Sequence, residues 1–127
     1  MTMRNQGLIK TFNAGAAIPR NRIVQFGADE RTVILSAAAG NSHIGVTDNI
    51  AAAAAGDVVD VVLSDVATVE YGGSVTRGSL LTADSVGRAI AATAAAGTNV
   101  RIVGIAMVDG ASGDLGAVML SPGSFQG

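Results

Sequence analysis

Few residues in this chain could do chemistry. His43 is the only histidine, and cysteine is absent. Zinc sites draw several ligands from His and Cys, and a Cys-His nucleophile pair needs both partners, so neither chemistry is available. A Ser-His-Asp triad would have to be assembled around His43 alone, and no Gly-x-Ser-x-Gly turn occurs to present the serine. Asp57, Asp60 and Asp65 crowd one segment, where carboxylates could hold calcium. The period of two in a strand sends Asp57 and Asp60 to opposite faces, and the Gly-Asp at Asp57 returns at Asp114, as a turn would. The glycine clusters at 72–78 and 110–116 lack the Lys-Ser/Thr of a phosphate loop and precede strand-like sequence. Lys10 is the sole lysine and lies near the N-terminus, so the hairpin lysine of a lipoyl or biotinyl carrier domain is missing. These residues predict a protein that is not an enzyme, with no catalytic or metal site, no cofactor and no small-molecule substrate.

The elements that carry these residues read as short strands in two copies. Shifted by 57 positions, Ile23-Val24 falls on Leu80-Leu81, Arg31 on Arg88, and Ala37-Ala38-Ala39-Gly40 on Ala94-Ala95-Ala96-Gly97. After a two-residue slip Gly45-Val46 meets Gly104-Ile105. The slip then closes, so that Gly56-Asp57-Val58 meets Gly113-Asp114-Leu115 and Leu63-Ser64 meets Leu120-Ser121. The pseudo-repeats are therefore placed at about 22–64 and 79–121. Within them Val-, Ile- and Thr-rich runs at 22–26, 32–36, 43–47, 58–64, 80–83, 88–93, 100–107 and 115–120 predict strands, with one more at 67–71 between the copies. In this alignment His43 lies opposite an apolar residue, Val100 or Ile102, which predicts a structural role. The run at 51–55 is all Ala, but it is too short to nucleate a lasting helix and reads as a loop or single helical turn. Pro19 and Pro122 fall before the first strand and after the last, where no ladder hydrogen bond is lost.

The prediction is an all-β fold, a small barrel or sandwich of about nine short strands. It forms one β domain over residues 19–127, preceded by an extended basic N-terminal arm over residues 1–18. A chain of 127 residues buries roughly 65–70% of its unfolded surface, so it can hold a core without disulfides. That core must be built from small side chains, because Phe12, Phe26, Phe125 and Tyr71 are the only aromatics. Charge is uneven: residues 1–28 carry Arg4, Lys10, Arg20 and Arg22 and no acid, +4, whereas residues 29–127 set four Arg against ten acids, −6. An acidic body with one Tyr argues against nucleic-acid binding, and no apolar run approaches a membrane span or a secretory signal. The reading is an unexported, soluble protein whose basic segment is either a solvated terminus or an arm that docks on an acidic partner surface.

Several motifs together resemble one family. They are Ala-Gly-Ala-Ala-Ile-Pro (14–19), Arg-Ile-Val-Gln-Phe-Gly (22–27), Ala-Ala-Gly-Asp-Val-Val-Asp-Val (54–61), Tyr-Gly-Gly-Ser-Val-Thr-Arg-Gly-Ser-Leu-Leu-Thr (71–82), Gly-Arg-Ala-Ile (87–90) and Ile-Val-Gly-Ile-Ala (102–106). Over about residues 14–121 the chain resembles the decoration (cement) proteins that coat tailed-phage capsids. The resemblance implies a bacteriophage structural protein, made in the host cytoplasm and carried on the outer capsid surface of the virion. It would be a homotrimer whose partner is the major capsid protein, giving capsid stabilisation without catalysis. Arg4, Lys10, Phe12, Arg20 and Arg22 are the candidate capsid-binding residues of the arm. The competing reading is a β-fold surface-binding module, a glycan-binding adhesin or a head fibre component, although sugar stacking favours more exposed aromatics than this chain has.

Overall fold

A computed structural model describes residues 7–126. Ten strands account for its regular structure: β1 (Ile9–Ala14), β2 (Ile23–Phe26), β3 (Thr32–Leu35), β4 (His43–Thr47), β5 (Val58–Val62), β6 (Val66–Glu70), β7 (Leu80–Ala83), β8 (Ala89–Ala91), β9 (Asn99–Ala106) and β10 (Leu115–Gln126). No described residue is helical, and the alanine run at 51–55 is loop. Strands β1-β3-β2-β4-β5 form a closed barrel, and the other five form a sheet in the order β6-β10-β9-β7-β8.

These two units are the two repeats, and each has five strands rather than four. In the first, Ile9 pairs with Val62, Thr11 with Asp60 and Asn13 with Val58. Moving every residue 57 positions along gives Val66 with Met119, Thr68 with Ala117 and Glu70 with Leu115, which are the observed pairs of the second. Strand β6 is thus the opening strand of the second copy, and β1 is its equivalent in the first. Closure differs. Strands β1 and β3 close the first barrel by parallel pairing of Asn13 with Thr32 and Ala14 with Val33, whereas the second has only the parallel bridge between Tyr71 and Ala89 at that seam. The two-residue slip is also structural. A Cβ on Gly45 would press on the carbonyl of Val62, and one on Gly104 on the carbonyl of Met119, so both positions need glycine where neighbouring strands approach closely.

Two expectations are corrected here. The extended arm over residues 1–18 does not hold from Ile9 onward: those residues form β1, and Phe12, Ala14 and Ile18 are buried in the first barrel. A segment that contributes three core side chains, two of them from β1, cannot be detached at small cost. Pro122 lies inside β10 and not beyond the last strand; the register shifts between Leu120 and Gly123, and this bulge is where a strand tolerates a residue without an N–H.

The first barrel is filled by Phe12, Ala14, Ile18, Val24, Val33, Ala52, Val59 and Val61. A second apolar cluster unites Ile23, Val46 and Val62 of the first copy with Val69, Tyr71, Leu81, Val103 and Val118 of the second. The copies therefore share one core across their junction. Asn21 stitches the same junction with polar bonds. Held at φ 58°, its side-chain amide donates to the carbonyl of Thr68 at 3.1 Å, and its own carbonyl accepts from the N–H of Glu70 at 3.0 Å. In this way a single Asn occupies the outer edge of β6, which would otherwise be an unpaired strand edge.

Candidate interaction surface

The residues that chemistry would require are taken up by structure. His43 opens β4 on the junction between the copies, 5% exposed, with Nε2 3.1 Å from Oγ1 of Thr82 on β7. Burial holds its imidazole down at about 4, while the backbone of Arg101 favours the proton and the charge of Arg101 opposes it. Thus the neutral ring is the folded form, and the unfolded chain, with its ordinary value of 6.5, binds the proton first. Its contribution is complete above about pH 6.5 and is lost as pH falls toward 4. A shift of this size corresponds to at most about 3 kcal/mol, and partial solvent screening reduces it to roughly 1–2 kcal/mol. Unfolding free energies from denaturant titrations between those pH values should fall by that amount more for the wild type than for His43→Gln. Equal slopes for the two would show that the ring is not buried neutral.

The aspartates do the work of turns. One carboxylate oxygen of Asp57 accepts from the N–H groups of Ala53 and Ala54, both at 3.1 Å, and Asp114 accepts from Ala111 at 2.8 Å in the second copy. Asp60 accepts from the hydroxyl of Thr11 at 2.6 Å on the outer face of the β1–β5 pair. Asp65 takes the left-handed turn between the copies at φ 64°. Among the described residues no group of three His, Asp or Glu side chains is arranged to hold a metal ion, and no helix is long and apolar enough to cross a membrane.

The five basic-arm residues separate. Arg4 lies outside the described residues. Lys10 and Arg20 are exposed, and the Lys10 ammonium lies 5.3 Å from the centre of the Phe12 ring. Phe12 itself is a core residue, edge-on to Phe26 at 6.0 Å between ring centres. Arg22 is bound into the junction: its guanidinium donates to the carbonyl of Val86 at 2.9 Å and to Glu70 at 3.3 Å. Arg88 approaches the same Glu70 and pairs with Asp84 at 2.9 Å. Phe12 and Arg22 therefore hold the fold together, and the described basic residues Lys10, Arg20 and Arg22 do not lie on one detached arm.

The feature that sequence reasoning missed is an exposed apolar surface at one end of the first barrel. Ile50 is 78% exposed and Val58 65% exposed; with Val59 and Asp60 they line a shallow hollow. Ala51, Ala53, Ala54 and Ala55 are exposed beside them. An alanine run was legible in the sequence. Its exposure was not, because only barrel closure decides which side of the β4–β5 loop meets the core.

With two five-stranded units in tandem established, comparison with known structures becomes specific. The fold resembles a phage head-fibre base. The crystal structure of the N base of head fibre gp8.5 of bacteriophage phi29 matches with a TM-score of 0.63 at 20% sequence identity, over 90% of this chain and 93% of that one. At such identity the likeness is one of fold. No protein-family model matches the chain, and no curated protein matches it.

Proposed function

We propose that this chain is a non-enzymatic structural protein of a phage head, seated on the outside of the assembled shell as a decoration protein that stabilises the major capsid protein lattice. The observation that carries this reading is the fold, shared over most of both chains with the base of a head fibre. The motifs at 71–82 and 87–90 point to the same part of a virion. The fold suits the role: its one histidine is engaged in the junction and its aspartates cap turns, leaving exposed surface as the means of action. A protein that binds only the assembled shell stabilises it by mass action and needs no chemistry. Trimers at threefold lattice positions would match symmetry to symmetry and sum weak contacts through effective concentration.

The fold likeness also favours a second reading, in which the chain is the base of a head fibre and marks an attachment point without strengthening the shell. One experiment tests both. Heads of the parent phage that lack this protein are mixed with the purified chain, sedimented, and heated. Saturable pelleting with a raised head-disruption temperature is the expected result. Saturable pelleting with an unchanged temperature replaces the decoration reading by the fibre-base one, and failure to pellet sinks both.

A further inference from the structure

The second repeat serves as an internal control for the first. The loop between β4 and β5, residues 48–57, and the loop between β9 and β10, residues 107–114, are built alike. Each ends on a glycine with positive φ, 92° at Gly56 and 89° at Gly113. Each is capped by the following aspartate. Each is tied back by one antiparallel bridge, Ile18 with Ala52 and Val75 with Gly110. Yet the first reads Asp-Asn-Ile-Ala-Ala-Ala-Ala-Ala-Gly-Asp, and the second reads Met-Val-Asp-Gly-Ala-Ser-Gly-Asp. The architecture therefore does not require an alanine run, since Asp-Gly-Ala-Ser at 109–112 is closed by the same kind of cap and bridge. Exposed apolar surface that the fold does not need marks a contact.

Charge identifies the kind of contact. Asp57 and Asp60 border this surface, and the segment that forms it, residues 48–60, contains no Lys or Arg, the nearest on the paired strand β1 being Lys10 opposite Val61. Asp57 and Asp60 are held in place by the loop amides and by Thr11. Two copies of the chain meeting through this surface would bring fixed carboxylates together around an apolar contact, which is unfavourable. We infer that Ile50, Val58 and the alanines between them dock into an apolar depression on the coat protein of the head, rimmed by Lys or Arg side chains. The inference rests on the proposed function and assigns the surface that carries it out.

The test uses the full-length chain and the same protein-deficient heads, with the double variant Ile50→Ser/Val58→Thr. Leu115→Thr serves as control, since Leu115 holds the place of Val58 in the second copy and is 55% exposed. All altered side chains are exposed, and thermal unfolding of each variant checks that the fold is kept. The double variant should bind heads at least about tenfold more weakly, the control should bind as the wild type does, and added salt should weaken wild-type binding by screening the acidic rim. Wild-type and double-variant chains that pellet equally would overturn the assignment. So would a double variant that loses self-association in light scattering but keeps its affinity for heads, because the loop would then be a contact between copies. A wild type that does not pellet at all removes the proposed function itself.

Discussion

A chain beginning at residue 19 should fail to form the first barrel. Its loss strips β5 of the five partners from Ile9 to Asn13 and β3 of the parallel bridges at Thr32 and Val33, leaving two open edges where the barrel had none. It also removes Phe12 and Ile18 from the core. Truncating a buried Phe costs about 3–5 kcal/mol and a buried Ile about 2–5 kcal/mol, together comparable with the whole stability of an ordinary domain, about 5–15 kcal/mol. Because Ile23, Val46 and Val62 sit in the cluster shared with the second copy, the damage should spread across the junction. The checks are amide dispersion by NMR and a thermal melt. A truncated chain that unfolds cooperatively at the wild-type temperature would show that β1 is dispensable, and residues 1–18 would again behave as an arm.

Exchanging side chains between equivalent positions of the two copies should produce the second large effect. In the first barrel Phe12 faces its register partner Val59, and Ala14 lies two residues on. The second copy distributes the bulk differently: Val69 faces Gly116, and Tyr71, fully buried, stands where the first copy has Ala14. A Cβ on Gly116 would run into the Tyr71 ring and hydroxyl, and that hydroxyl donates to the carbonyl of Val108 at 2.8 Å. Each copy thus buries one aromatic ring on or just after its opening strand, and in the second copy Gly116 of the partner strand makes room for it. Gly116→Val alone should cost about 3 kcal/mol from overpacking, and Tyr71→Ala alone about 3–5 kcal/mol from the cavity. Combined, Val fills space that the ring vacated, so the double variant should fall short of the sum by about 2 kcal/mol. Urea unfolding of the four proteins measures this coupling, and strict additivity would mean that ring and glycine do not share a cavity.

The comparison of Phe12 with Tyr71 also shows why the opening strand was hard to read. The residues of β1, Ile-Lys-Thr-Phe-Asn-Ala, place only Phe12 and Ala14 inward and otherwise look like solvated sequence with a basic charge. Their signal lay in the offset itself: Thr11 falls on Thr68 and Ile9 on Val66, which extends the repeat backward by one strand. Read that way, the segment at 67–71 is the start of the second copy and not a connection between two four-stranded units. Likewise, Pro122 was placed beyond the last strand because a ladder normally excludes it, and the bulge that admits it depends on the partner β9.

The sequence by itself determined the all-β class, the 57-residue offset, most strand positions, and the structural roles of His43 and of the aspartates at Asp57 and Asp114. These follow from local causes: β-branched runs, and glycine and aspartate at turns. Tertiary structure decided that residue 9 onward belongs to a barrel, that Arg22, Asn21 and His43 meet the second copy, and that Ile50 and Val58 face outward. Each of these depends on which distant strand becomes a neighbour. Pairing β1 with β5, or bonding His43 of β4 to Thr82 of β7, joins residues far apart in the chain, and strand periodicity is the same whichever partner is found.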